Sequence, residues 1–206
     1  MPYTRCGWPP VAVLLAALCL SGCFVSRQPL ITPDTADRPF ADGAKVTDFV
    51  NCDSPGGSLL DCKGYKASGT GTLKLDHGVY VVEPDPASNP FATQGPAQDM
   101  HVLLKNVGGD LYVAQLPWGD ATAADEDRYL YAMVRITGQT AYLYVVLCEQ
   151  NGDQAYVKSG ALSGISTKEL APACEANTLA GLAGVFRDRL ANGAIPDQKL
   201  EVQPPG

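Results

Sequence analysis

Histidine is almost missing from this chain, with two residues in 206, and much of the usual material for a catalytic site is missing with it. His77 lies in the turn Asp76-His77-Gly78, and His101 opens a predicted strand two residues after Asp99. Neither has a partner at metal-ligand spacing. There is no G-x-S-x-G elbow, because in Gly160-Ala161-Leu162-Ser163-Gly164 the serine comes one place late. Gly69-Thr70-Gly71 has no helix after it to make a phosphate cradle, and no repeat of 20–50 residues is convincing. Positive charge is also scarce, with 15 Lys+Arg against 22 Asp+Glu and a formal net charge of −7. Such a chain gains nothing from phosphate backbones, so nucleic-acid binding is disfavoured.

Long apolar runs are absent too. Val11–Leu20 is uninterrupted for only ten residues, where a spanning helix needs roughly 20. The uncharged stretch Cys6–Val25 reaches that length only if Gly7, Pro9 and Pro10 are tolerated near one end. What is present is the order of a secretory signal: Arg5 and the amino terminus, then the apolar run, then small residues.

The end of that segment, Leu20-Ser21-Gly22-Cys23, resembles the lipobox of bacterial lipoproteins. The resemblance implies cleavage between Gly22 and Cys23, diacylglycerol on the Cys23 thiol and an acyl chain such as palmitate on the new amino group. Several buried chains, at ~0.8 kcal/mol per methylene, hold a protein to a bilayer without a spanning helix. Phe24 stands where an aspartate would favour retention at the inner membrane, so the implied address is the outer membrane of a bacterial cell envelope. A plain secreted protein cut nearby and a bare anchor helix are the alternatives.

Removing residues 1–22 from 206 leaves 184, enough for one domain with a core. Arg5 is the one basic residue lost, which takes Lys+Arg from 15 to 14 and the net charge from −7 to −8. Cys6 and Cys19 leave with the signal and Cys23 takes lipid. Cys52, Cys62, Cys148 and Cys174 remain, an even set that reads as two disulfides in an exported protein. Cys52–Cys62 would close a Pro-Gly-Gly loop, and Cys148–Cys174 would tie a strand to the lead-in of a helix. A four-cysteine zinc site is the rival, but neither spacing gives a C-x-x-C knuckle. No cofactor is implied. Asp120, Asp125, Glu126 and Asp127 lack the order of a calcium loop and read as a solvated acidic loop.

Residues 24–39 carry three prolines and no helical period and read as an extended tether, sixteen residues reaching up to roughly 50 Å. Residues 40–206 then alternate apolar and polar between glycine-rich turns, which predicts a mainly β domain, an antiparallel β-sandwich or partly open barrel. The expected strands are Lys45–Val50, Tyr65–Leu75, Val79–Glu83, His101–Asn106, Leu111–Leu116, Arg128–Thr137, Thr140–Gln150 and Gln154–Lys158, with longer loops at Pro84–Asp99 and Trp118–Asp127. In architecture this is similar to the small β-barrel lysozyme inhibitors of bacterial envelopes, a likeness of layout carried by no motif of theirs.

The hairpin around Gly138-Gln139 pairs Thr137 with Thr140 and sorts its residues onto two faces. One is aliphatic. The other carries Tyr129, Tyr131, Met133, Arg135, Tyr142 and Tyr144, which either bind a ligand or lie under another element. The helix expected over 178–191 offers the cover, with Leu179, Leu182, Ala183, Phe186 and Leu190 on one stripe, before a short strand and a frayed tail. The chain therefore reads as a lipid-anchored, non-enzymatic binding or structural module that engages an envelope protein or cell-wall component. A hydrolase using His77 or His101 is the second reading.

Overall fold

The computed structural model describes residues 24–54, 63–85, 87, 100–118, 128–149, 152–166 and 173–206. Eight of its strands form an antiparallel meander: β2 (Ala44–Asn51), β3 (Tyr65–Asp76), β4 (Val79–Pro84), β5 (Met100–Gly108), β6 (Leu111–Trp118), β7 (Arg128–Thr137), β8 (Thr140–Tyr144) and β11 (Gln198–Gln203). Their order is β6-β5-β4-β3-β2-β11-β8-β7, and pairing of β6 with β7 closes the ring. The fold is thus mainly β and antiparallel, with a barrel that closes completely. Closure removes the open edges a sandwich or partial barrel would have to protect.

Alternation along each strand divides the apolar residues between two cores. Ala44, Val46, Leu73, Tyr80, Leu104, Ala114, Val134, Ala141 and Val202 point into the barrel. Leu111, Val113, Tyr131, Met133 and Tyr144 point outward into a second core beneath the helix α2 (Leu179–Ala191). Phe40 plugs one end of the barrel, where its backbone exchanges hydrogen bonds with the Tyr80 hydroxyl at 2.9 and 2.7 Å.

The β7–β8 hairpin has the expected register, Thr137 opposite Thr140 and Met133 opposite Tyr144, with Gly138 at φ 60° in its turn. The expected strand Thr140–Gln150, however, ends at Tyr144. Beyond that point β7 pairs instead with β1 (Phe24–Ser26), which places Phe24 opposite Tyr131. The Val145 amide turns away to Asp197 Oδ2 at 2.7 Å. β1 also pairs in parallel with β10 (Ala173–Ala176), which pairs with β9 (Leu162–Ser166), adding three strands to the barrel wall.

Residues 24–39 are therefore not a tether. Phe24 and Ile31 are fully buried. The Ile31 backbone is held at both N–H and C=O by the Gln115 amide, at 2.9 and 2.8 Å, and Asp37 bridges to Leu104. Nor is the segment after β8 a strand: Gln154–Lys158 forms a one-turn helix, α1, with Tyr156 and Val157 against the outer core.

The helix expected over 178–191 is α2, with Thr178 accepting from the Gly181 amide at 3.1 Å and Gly193 taking the positive φ of 86° beyond its end. It buries Leu182, Ala183, Val185 and Phe186. Gly181 is required by close approach, since a Cβ there would sit 2.3 Å from the Ala161 carbonyl oxygen. No such approach occurs at Gly184. The short C-terminal strand is β11, a full member of the ring between β2 and β8.

Candidate functional site

The tyrosine face lies under other elements. Met133, Tyr131 and Tyr144 are buried against Phe24, Leu182, Val185 and Phe186, and Tyr129 and Tyr142 pack partly buried at the margin. Phe24 and Phe186 meet edge to face with ring centroids 5.5 Å apart. The Tyr131 hydroxyl lies among Ser26 Oγ at 2.7 Å, Gln115 Oε1 at 3.0 Å and the Leu30 amide at 3.1 Å, a satisfied network. Burial pushes its ionisation above the ordinary tyrosine value. Arg135 is taken by Asp110 at 2.6 Å. Tyr131, Met133 and Tyr144 of this face thus belong to a second core.

The sulfurs of Cys148 and Cys174 are bonded at 2.08 Å, joining the segment after β8 to β10. Beneath them lies Asp153, fully buried, with Oδ1 at 2.6 Å from Arg189 of α2 and Oδ2 accepting from the Glu149 amide at 2.6 Å. Asp153 Oδ2 is also 3.6 Å from Cys174 Sγ. Sulfurs bonded to each other are not thiolate ligands, so this trio is a fastening point and not a metal centre. Cys52 is disulfide-bonded as well; Cys62 and the acidic residues Asp120, Asp125, Glu126 and Asp127 lie outside the described residues.

His77 sits on the β3–β4 turn, 2.6 Å from the exposed Asp76 carboxylate and itself 94% exposed. His101 is exposed on the outer face of β5, opposite Val81, and Asp99 lies outside the described residues. Ser163 Oγ donates to the Glu175 carbonyl at 2.9 Å, a contact within the β9–β10 ladder.

The inside of the barrel holds a group that the sequence analysis passed over. Asp48 follows Val46 by two residues on β2 and lies opposite Leu200, which itself lies opposite Ala141; both neighbours face the inner core, and so does Asp48. Its Oδ2 accepts a hydrogen bond from Ser68 Oγ, displayed by the bulge in β3 between the partners of Asp48 and Phe49. Its Oδ1 is buried and has no hydrogen-bond partner among the described residues. Leaving a buried acceptor unpaired costs about 1–3 kcal/mol, and native proteins rarely do so. Burial pushes the Asp48 carboxyl above its ordinary value, with the Ser68 hydroxyl and the Phe49 amide offsetting part of the effect.

Leu143, Leu200, Val82, Val102, Leu116 and Ala132 face inward yet are only partly buried. The alternation Val46-Asp48-Val50 was the signal that could have found this carboxyl. It is a single polar residue on an apolar strand face, a pattern that usually marks a site.

In comparisons with known proteins, no family model matches the chain, and no curated protein or solved structure matches it.

Proposed function

We propose that this protein is a lipid-anchored, non-enzymatic binding protein of the bacterial cell envelope, held at the outer membrane through Cys23, with the inside of its barrel as the binding compartment. The observation that carries the binding reading is the inward Asp48 carboxyl, one oxygen of which has no partner among the described residues, on an otherwise apolar inner face. Small barrels of eight strands are the size that either fills with side chains or holds one small ligand. The positions of His77 and His101 support the non-enzymatic reading over the hydrolase. Both are exposed on the outer surface, where no cleft excludes water from a reacting group.

The anchor rests on Leu20-Ser21-Gly22-Cys23 and on the apolar run before it. Expressed in a bacterial host, the wild-type chain is expected to incorporate labelled palmitate, and Cys23→Ala is expected to accumulate as unprocessed precursor without label. Label retained in the variant would place the anchor elsewhere and end this part of the proposal.

A further inference from the structure

We infer that the barrel rim around the end of β8 rests on a lipid surface, with Tyr65, Leu147 and Ile195 entering the headgroup region of the bilayer. The inference rests on the anchoring at Cys23 proposed above and names the face that the anchored protein turns to its membrane. Tyr65, Leu147 and Ile195 are the exposed large apolar side chains among the described residues. Scattered singly over a surface, such side chains need no explanation. Here a ladder pair, hydrogen bonds and a disulfide join them into one line. Tyr65 lies opposite Asn51, which holds the chain beside Ile195: its Nδ2 donates to the Pro196 carbonyl at 2.6 Å and its amide to the Asp197 carbonyl at 2.8 Å. The Asp197 carboxylate accepts from the amide of Val145, two residues before Leu147. Leu147 adjoins Cys148, and the disulfide partner of Cys148 is Cys174, which lies opposite Phe24. The line ends one residue from Cys23.

That continuity selects a bilayer as the occupant. With lipid one residue from Phe24, no slack chain holds the neighbouring rim away from the headgroups. The side chains suit that depth. Tyrosine has an apolar body and a polar tip, the combination enriched where hydrocarbon meets water. Lys63 and Lys66 flank Tyr65 and are exposed, and Lys199 Nζ stands 4.3 Å from the Phe49 ring centroid and 5.2 Å from that of Tyr65. Such cations reach phosphates while their stems stay on apolar surface. The acidic groups nearby are engaged: Asp197 with Val145, Glu149 with Arg189 at 3.3 Å, and Asp53 with the Gly64 amide at 3.2 Å. The opposite end of the barrel presents a different surface, with Asp76 and His77 exposed on the β3–β4 turn.

The test compares fluorophores at the two ends. Ile195→Cys, Tyr65→Cys and His77→Cys are each made as the full chain in a bacterial host, labelled with a nitrobenzoxadiazole group and held in phosphatidylcholine nanodiscs. Wild type carried through the same labelling gives the background. Lipid bearing a doxyl group close to its headgroup is expected to quench the two rim labels roughly threefold or more beyond the His77→Cys label, as insertion of ~5–10 Å requires. Aqueous iodide should show the reverse order. Two rim positions are used so that the comparison stands if one variant fails to fold. Equal doxyl quenching at both ends would overturn the inference. Rim labels shielded from iodide but untouched by doxyl lipid would also overturn it, assigning the rim to a second copy or another protein. Failure of the protein to enter the nanodiscs would remove the anchor and this inference with it; an anchored protein with an unquenched rim would remove this inference alone.

Discussion

At the scale of single residues, Asp48 is a costly group to place inside the barrel. An acidic side chain on the inner face of a barrel has lost water and gained one hydroxyl and one amide in return, with one oxygen left unpaired among the described residues. Its folded-state value is raised, so the folded protein binds more protons than the unfolded chain over a window that opens near the unfolded carboxyl value of about 3.9 and closes at the raised folded value. Stability from this group therefore falls as pH rises through that window and stays reduced above it. Asp197 is raised by burial too, with the same sign, so the comparison must be between two chains that both keep it. Asp48→Asn preserves shape and an acceptor for Ser68 while removing the buried charge. It is expected to raise stability at pH 7 by roughly 0.5–2 kcal/mol, the size of a single stabilising change at a functional position. The gain should shrink as pH is lowered below the window. Thermal unfolding of both chains across pH checks this, and a variant less stable than wild type at pH 7 would show that the carboxylate stabilises the barrel.

At the scale of elements, the pattern of the β7–β8 hairpin and the stripe of α2 were both legible, because each is a local period repeated over many residues. Ala132, Val134, Ala141 and Leu143 on one side and Tyr131, Met133 and Tyr144 on the other sort as the alternation requires. What the pattern could not show was where pairing stops. Val145–Cys148 has strand composition, but the edge of β7 that it would use is occupied by Phe24–Ser26, and Cys148 is drawn to Cys174. Competition for an edge is tertiary and leaves no local mark. Tyr131 and Tyr144 share their core with α2, whose Phe186 is fully buried and in edge contact with Phe24. Phe186→Ala is expected to cost about 3–5 kcal/mol in urea unfolding, the range for truncating a large aromatic in a core. It should also raise the solvent accessibility of Tyr131 and Tyr144 to chemical modification. A loss near zero would mean that the helix rests on the sheet without sealing it.

At the scale of the whole molecule, the same strand bears on how the protein would stand on a membrane under the proposed anchoring at Cys23. Three prolines and no period read as slack chain from Phe24 onward, yet Phe24, Val25 and Ser26 are buried between β7 and β10, and Ile31 is locked to Gln115. Composition misled because a three-residue strand is too short to show alternation, and the ladder it completes comes from positions more than a hundred residues away. The consequence for an anchored protein is large. Under the proposed anchoring, a lipid on Cys23 would lie one residue, ~3.8 Å of backbone, from Phe24 in the wall of the barrel, in place of the roughly 50 Å a sixteen-residue tether would allow. The extra strands β9 and β10 hydrogen-bond to the barrel through β1, alongside the covalent Cys148–Cys174 link. Replacing Phe24-Val25-Ser26 by Gly-Gly-Ser, a sequence that makes a good tether and a poor strand, separates the two pictures. A tether would tolerate it without change. With β1 built into the fold, the loss of Phe24 alone is expected to destabilise by about 3–5 kcal/mol. Protease susceptibility should appear first in the Leu162–Ala176 region, whose ladder then has no partner. An unchanged urea midpoint, with no new cleavage there, would return residues 24–39 to the role of a leash.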